Sequence, residues 1–479
     1  MEKRAEKLKR ELEQIIGKEK VKLDFPTRIS YSRDIYPLGY LELRQGEIKN
    51  LPVAICYPED VKEVAELVRW AGENEISLIP FGGGSGVLGA CVPVDGGVVV
   101  DLKRMSRIRK VNPINHTCEA EAGIIGEVLE RKLNQKGFTL GHFPASMYCS
   151  TLGGWIATRS AGQLSARYGK IEDMVIALEG VLADGSIFRT RSSPRSATGP
   201  DLDQVLIGSE GTLAIITSAV LTIHPLPKAR FYRGWKFPDV ASGLDAMRRL
   251  TQKDIAPSLL RLYDPLDTKF NAEKLGVPSA GCLLIAGYEG ENKELVQLGA
   301  ELGWRLLKKL DGEDLAEEPA KRWLEHRYSV SYHQSRILSQ PNTLIDTIEV
   351  SVVWSRALEL YQLVMDRVKS LALTMAHFSH SWREGVCIYF SFLFSDPSPQ
   401  GLKEKHKKTW EQVMSACLEL GASISHHHGI GLHRIEWLKK ELGEGHKILS
   451  RIKNEIDLKG ILNPGKLGFV KEKIKENAS

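Results

Sequence analysis

Cysteine is sparse and unpaired in this chain: seven residues in 479, with no C-x-x-C spacing. Such scatter gives no disulfide framework and no structural zinc cage, and it suits a reducing compartment. Long apolar runs are also missing. No stretch approaches the roughly 18 residues of a membrane span, the charged start Met1-Glu2-Lys3-Arg4 lacks a signal-peptide core, and Asn477-Ala478-Ser479 is no peroxisomal address. A cytoplasmic protein is expected. Charge of one sign is scarce too, since 65 basic residues face 60 acidic ones for a net charge of +5. That balance argues against a nucleic-acid partner and leaves a small anionic substrate or a lipid surface open. No internal repeat stands out, and 479 residues exceed one ordinary hydrophobic core, so two or more domains are expected.

Glycine is abundant, at 43 residues, and its densest cluster follows a strand pattern. The run Ile76-Ser77-Leu78-Ile79 leads into Pro80-Phe81-Gly82-Gly83-Gly84-Ser85-Gly86-Val87-Leu88-Gly89. A loop without Cβ atoms can take φ > 0 and aim successive N–H groups at one anion, so a nucleotide phosphate is the expected guest. Gly84, Gly86 and Gly89 match G-x-G-x-x-G, but a Rossmann loop must open a helix. Here Ala90-Cys91-Val92-Pro93 and the strand-like Val98-Val99-Val100-Asp101-Leu102 follow instead. Two further segments repeat the theme. Thr151-Leu152-Gly153-Gly154-Trp155-Ile156-Ala157-Thr158-Arg159-Ser160-Ala161-Gly162 mixes hydroxyls, small residues and an arginine; Gly208-Ser209-Glu210-Gly211-Thr212-Leu213-Ala214-Ile215-Ile216-Thr217 precedes a strand. One such segment alone can also be read as a glycine-rich surface turn without a ligand. Three in one stretch of alternating strands and helices predict an extended dinucleotide cradle.

From Pro52 to Pro227 the strand patterns Ala54-Ile55-Cys56, Val98-Val99-Val100, Val175-Ile176-Ala177-Leu178 and Ala219-Val220-Leu221-Thr222-Ile223 alternate with helices such as Asp60 to Ala71. Beyond Pro225-Leu226-Pro227, longer amphipathic helices, Val240 to Leu250 and Ser355 to Lys369, lie among strands such as Cys282 to Ala286 and Gly385 to Phe394. A substrate-covering cap is expected there. The expected division is 1–45 as N-terminal helix and lead-in, 46–228 as cofactor domain, 229–430 as cap, and 431–479 as a segment returning to the cofactor domain. Within Met1 to Ile16, the residues Leu8, Leu12, Ile15 and Ile16 form one helical stripe. Packing onto the protein itself or a sister subunit is expected; a peripheral membrane contact is the alternative, weakened by Glu2, Glu6, Glu11 and Glu13.

The glycine loop, Leu152-Gly153-Gly154-Trp155, Tyr168-Gly169-Lys170-Ile171-Glu172-Asp173, Gly208-Ser209-Glu210-Gly211-Thr212-Leu213 and Leu462-Asn463-Pro464-Gly465-Lys466 resemble the vanillyl-alcohol-oxidase, or PCMH-type, FAD-binding superfamily. Four further segments are most similar to its alkyldihydroxyacetonephosphate synthase family: Pro194-Arg195-Ser196-Ala197-Thr198-Gly199-Pro200-Asp201, Ala256-Pro257-Ser258-Leu259-Leu260-Arg261-Leu262, Cys387-Ile388-Tyr389-Phe390 and Ser425-His426-His427-His428-Gly429-Ile430-Gly431. The likeness runs from about Tyr31 to Lys466. It implies an α+β fold, with a two-subdomain PCMH-type FAD-binding domain and an α+β cap built on an antiparallel sheet, and it implies a homodimer. FAD would be held by Pro80, Phe81, Gly82, Gly83, Gly84, Ser85 and Gly86, by Ala145, Ser146, Ser150, Thr151, Gly153 and Gly154, by Thr158, Arg159, Ser160 and Ala161, and by Glu210, Gly211, Thr212, Leu213, Ala214, Ile215 and Ile216. Ser85 stands where some relatives place a flavin-linked histidine. Non-covalent FAD is therefore expected, with Cys91 and His142 as alternative anchors.

In the strand around Tyr389, alternation puts Ile388, Phe390, Phe392 and Phe394 on one face and Cys387, Tyr389 and Ser391 on the other. By pattern alone Tyr389 is a tyrosine on a partly solvated face; the resemblance makes it the residue that takes a proton from the substrate carbon beside the flavin. His426, His427 and His428 follow the strand-like Ala422-Ser423-Ile424-Ser425, and three adjacent strand residues cannot all face one ion. In the superfamily's metal-dependent D-2-hydroxyacid dehydrogenases the matching turn reads glutamate-histidine-glycine, and an H-x-G-D-G-N-x-H run adds two ligands. Here His427 replaces the glutamate and His380-Ser381-Trp382-Arg383-Glu384-Gly385-Val386 fills the place of the run. No catalytic metal is expected, and the histidines are assigned to proton handling and contact with substrate oxygen or phosphate. Arg261 and Arg322 match arginines of the synthase family, whose planar fork suits phosphate or carboxylate; read alone, either is a surface ion pair. The implied reaction is a redox-neutral exchange in which the acyl group of acyl-dihydroxyacetone phosphate leaves as carboxylate and a long-chain alcohol replaces it, as in ether-lipid synthesis. The alternative is an FAD-dependent D-2-hydroxyacid dehydrogenase or oxidase of lactate or glycolate type, because fold does not decide between them.

Overall fold

The computed structural model describes residues 2–329 and 340–469. Strands β1 (Val21–Lys22), β2 (Ala54–Cys56), β3 (Leu78–Phe81) and β4 (Val98–Asp101) form a small sheet in the order β1-β2-β4-β3, with β2, β4 and β3 parallel. Both faces of a parallel sheet are covered, and β2 and β4 are accordingly buried at every residue. The helix Val61–Asn74 follows β2. Asp60 starts it by accepting from the amides of Lys62 and Glu63, and Glu75 ends it in the left-handed region. From β3 the chain enters the glycine loop and returns as β4 with no helix between. The non-Rossmann expectation therefore holds.

A second sheet takes β5 (Ile108–Asn112), β6 (Thr117–Glu121), β8 (Val175–Val181), β9 (Ile187–Arg189) and β10 (Ile215–Thr222), all antiparallel in the order β5-β6-β10-β8-β9; β7 (Phe138–Thr139) and β11 (His224–Pro225) pair as a separate ribbon. The largest sheet is antiparallel, in the order β15-β12-β14-β13-β17-β18-β16. Its strands are β12 (Ala229–Phe237), β13 (Leu259–Tyr263), β14 (Cys282–Gly290), β15 (Glu313–Asp314), β16 (Thr343–Val353), β17 (Leu373–Ser381) and β18 (Gly385–Ser395). The α+β class and the antiparallel sheet beyond residue 229 are as expected.

One face of that sheet is apolar because β18 alternates. Ile388, Phe390, Phe392 and Phe394 are buried in one core with residues of the helices Val240–Thr251, Trp354–Val368 and Pro399–Glu419. The opposite face carries Tyr389, paired in register with Glu349 on β16 and His377 on β17. At the other end of the chain, the helix Glu2–Ile16 buries Leu12 and Ile16 in the core that holds Val64 and Trp70, and Trp70 donates to Glu11 at 2.9 Å. Its apolar stripe thus packs on the protein itself. No helix of the described residues is long and apolar enough to cross a membrane.

One expected element is corrected. Ala422 to Ser425 forms no strand; Ser423 makes a single bridge to Ser351, and the three histidines lie in a turn. Gly429 and Gly431, at φ +83 and +55, bend the chain where a strand would have continued. The apolar face of β18 predicts the cost of losing it: Phe390→Ala should lower unfolding free energy by about 3–5 kcal/mol, read from urea denaturation. A loss under about 1 kcal/mol would show that this face is not part of the core.

Candidate active site

The glycine-bearing segments lean on one another at positions where a Cβ has no room. A Cβ on Gly83 would lie 1.9 Å from the carbonyl oxygen of Cys149, one on Gly82 2.2 Å from Thr151 Oγ1, and one on Gly211 2.8 Å from Pro80. Gly84 supplies the left-handed residue, at φ +61. Among the described residues the backbone N–H groups of Gly83, Gly84, Ser85 and Gly86 find no acceptor, nor do those of Ala145, Ser146, Ala161, Leu213 and Ala214. Free amides grouped on mutually packed loops are what a bound anion needs.

Other side chains hold this cradle from behind. Lys103 donates to Gly82 O at 3.0 Å and to Asp101 at 2.6 Å, and the Tyr31 hydroxyl donates to Asp101 at 2.5 Å. Asp34 accepts from Gly89 N at 2.8 Å, and burial pushes its carboxyl up to about 7. Asn463 donates to Ala90 O at 2.9 Å and to Glu210 O at 2.6 Å, while buried Lys466 donates to Val92 O at 2.7 Å. The hydroxyls of Ser150, Thr151 and Thr158 are bonded within the chain, and Arg159 donates to Gln204.

The histidine turn is built by charge. Glu349, fully buried, accepts from the amides of His426, His427 and His428, from the Ser425 hydroxyl at 3.2 Å, and from Arg434 Nη1 at 2.8 Å. Arg434 also donates to the carbonyls of Glu349 and Gly429. Burial would raise the Glu349 carboxyl, but Arg434 and His428 hold it below its ordinary range. From the opposite side Glu210 accepts from Ile430 N at 2.6 Å and Gly431 N at 2.9 Å. The Glu210 side chain is thus spent on the turn. Lys170 donates to His426 O at 2.7 Å and pairs with Glu172 at 2.9 Å.

Around this turn the rings meet. Tyr389 lies parallel to His377 at 4.7 Å, with His427 at 6.0 Å and His428 edge-on at 5.4 Å. Arg261 on β13 donates to His377 Nε2 at 2.7 Å, so His377 presents its Nδ1–H to Asp267 at 3.2 Å. His380, at the end of β17, sits at φ +52 with Nδ1 2.7 Å from the Ser165 hydroxyl. Burial holds His377, His426 and His427 well below the usual imidazole range, His428 below it, and His380 down to about 3. Burial also pushes the Tyr389 phenol up to about 12. At neutral pH the site is a neutral phenol among neutral imidazoles.

The structure therefore brings together Tyr389, His426, His427, His428 and, through His377, Arg261. Arg322 is not among them: on the helix Glu318–His326 it donates to Glu318 at 2.8 Å with its side chain 41% exposed. Arg327, just past that helix, lies over Phe143 at 5.0 Å, next to His142. Pattern reading missed Glu349, Arg434, His377, Asp267 and His380. An acidic residue on the outward face of a strand as apolar as β16 was the available signal for Glu349; Arg434 had none.

Two family models match the chain: the FAD binding domain over residues 52–191, and the C-terminal domain of FAD linked oxidases over residues 226–467. The sequence is 32% identical to an alkyldihydroxyacetonephosphate synthase of Dictyostelium discoideum, across 96% of this chain and 80% of that protein. It is 27% identical to the glycolate oxidase subunit GlcD of Bacillus subtilis (strain 168), across 97% of each. A solved alkyldihydroxyacetonephosphate synthase superposes with a TM-score of 0.82 at 29% identity, covering 95% of this chain and 84% of that one. FAD fits the cradle described above, since the free amides of Gly83 to Gly86 suit a pyrophosphate and the segment lacks bulky side chains.

Glu349→Gln leaves Arg434 buried without a counter-charge, so unfolding free energy should drop by about 3–5 kcal/mol. The double variant Glu349→Gln/Arg434→Met should lose less than the two single losses added together, measured as a urea double-mutant cycle. Strict additivity would mean that the pair does not set the turn.

Proposed function

This chain belongs to the FAD-linked oxidase family, in which an FAD-binding domain precedes an FAD-linked-oxidase C-terminal domain, and within that family we propose that it is an alkylglycerone-phosphate-synthase-like transferase. In the proposed reaction the bond from the ketone's terminal carbon to the acyl oxygen breaks, the fatty acid leaves as carboxylate, and a long-chain alcohol forms the new ether bond at that carbon. Bound FAD supplies an electron-accepting ring that lets this exchange proceed without net oxidation. The observation that carries the reading is Arg261, held by a buried His377–Asp267 pair directly beside Tyr389.

Each group then has a task. One Arg261 N–H is fixed on His377, and its Nε has no partner among the described residues, which leaves the fork able to take a phosphate. Tyr389 stays protonated at neutral pH, so it acts as a relay: it takes the substrate's proton while its own passes to a neighbouring imidazole. His427 and His428, neutral and adjacent, are the acceptors. Burial pushes the Cys91 thiol well up, so no thiolate stands ready to attack a flavin, which supports non-covalent FAD. A second reading, a D-2-hydroxyacid dehydrogenase or oxidase, is supported by the likeness to GlcD and by the equal fit of Arg261 to a carboxylate.

Anaerobic mixing with acyl-dihydroxyacetone phosphate should bleach the yellow flavin, and a fatty alcohol should restore the colour with formation of ether product. A flavin unmoved by that substrate but bleached by D-lactate or glycolate would replace this reading with the second. Tyr389→Phe should keep its flavin and lose about 100-fold or more in kcat. Because burial depresses the acceptor histidines, the acid limb of kcat/KM should lie below the usual imidazole value of about 6.5, with no alkaline limb from Tyr389 up to about pH 10.

A further inference from the structure

Arg327 is half-buried just past the helix Glu318–His326, at the seam where the large-sheet half meets the cofactor half. Its guanidinium lies over two rings, Phe143 of the cofactor half at 5.0 Å and Tyr328 at 4.7 Å. Among the described residues that guanidinium makes no hydrogen bond and no ion pair. The backbone around it is tied down by contrast. Gln163 Nε2 donates to Arg327 O at 3.4 Å, the Ser329 hydroxyl donates to His326 O at 2.7 Å, and Lys274 donates to that hydroxyl at 3.2 Å. Gln163 also donates its amide to Phe143 O at 3.0 Å. A guanidinium held over ring faces keeps its in-plane N–H groups for an acceptor. That edge is what a planar oxyanion requires.

The surroundings select the kind of oxyanion. Tyr148 stands edge-on to Tyr328 at 5.2 Å and is 56% exposed, so a run of aromatic rings leads from Arg327 out to solvent. In the other direction the seam leads to the catalytic cluster, since Ser165, two residues after Gln163, touches His380 through its hydroxyl at 2.7 Å. A phosphate already has a receptor in Arg261, beside Tyr389. We propose that Arg327, with Phe143, Tyr328 and Tyr148, forms a subsite for a long-chain carboxylate, the group that leaves in the exchange proposed above, and the inference rests on that reading. The two carboxylate oxygens pair with the free in-plane N–H groups, and the alkyl chain lies along the rings toward solvent. Each methylene taken out of water there strengthens binding by up to about fourfold. A departing carboxylate held on Arg327 is kept away from the carbon it has left, which clears that position for the alcohol.

The test needs no turnover. Decanoate is titrated calorimetrically into the flavin-loaded protein, with acetate, 1-decanol and inorganic phosphate as comparisons. One saturable equivalent of decanoate is expected, bound at least about 100-fold more tightly than acetate. Arg327→Met should weaken it at least about 10-fold, and Arg327→Lys, which keeps the charge but not the fork, by less, with melting temperature and flavin absorbance unchanged. Binding of 1-decanol, which has the same chain and no charge, should be indifferent to either substitution. No saturable decanoate binding by the unaltered protein overturns the proposal, and so does an equal affinity in the folded Arg327→Met protein. Displacement of decanoate by phosphate at equal concentration also overturns it, because the arginine would then be a phosphate site. Acyl exchange that proceeds while decanoate ignores Arg327 removes the subsite and leaves the reaction. Decanoate held through Arg327 by a protein whose flavin ignores acyl-dihydroxyacetone phosphate keeps the subsite and removes the reaction.

Discussion

Glu349 and Arg434 are both fully buried, and neither tolerates burial alone; each is there because the other is. The carboxylate has more hydrogen-bonding capacity than one guanidinium uses, and the surplus goes to three consecutive amides of the histidine turn. The consequence is a backbone shape that no local propensity favours. Without that anchor the turn would lose the sheet-side bonds that present His427 and His428 toward Tyr389, since among the described residues its start is otherwise tied to the sheet by the bridge at Ser423.

The same turn is where the two halves of the protein meet. Glu349 grips it from the large sheet; Glu210 and Lys170 grip it from the segments that form the cofactor cradle. Ser165, also from the cofactor side, orients His380 on the large sheet. The catalytic candidates are therefore positioned by contacts that exist only when both halves are docked. This gives the glycines around residue 430 a purpose beyond flexibility, since a Cβ on Gly429 would lie 2.5 Å from Glu210 Oε1 and one on Gly431 2.1 Å from Leu88 O.

The amount legible in the sequence follows from the range of the forces involved. Alternation along β18 is local, and it placed Tyr389 opposite the phenylalanines correctly. The glycine loop was legible for the same reason: its composition and the strand after it exclude a helix without any knowledge of the rest of the chain. What escaped was set by long-range pairing of charge. Arg434 meets Glu349 across 85 residues, and Arg261 meets His377 across 116, spacings that carry no periodicity. Arg322 was the weaker match, its spacing to Tyr389 differing in this chain, and local sequence does not separate such an arginine from one in an i,i+4 ion pair, which is what it forms. The strand expected before the histidines failed because β-propensity over Ala422 to Ser425 was overruled by the buried carboxylate beside it.

The bonds that Asn463 and Lys466 make to the loop after the glycine cluster span 373 and 374 residues of chain. During synthesis the loop thus leaves the ribosome long before its supports do. A nascent chain, or one truncated ahead of residue 463, has the phosphate-receptive backbone but not the clamps that hold it in shape. Part of what shapes the flavin cradle is in this way carried by residues about 370 positions further along the chain rather than by the loop itself.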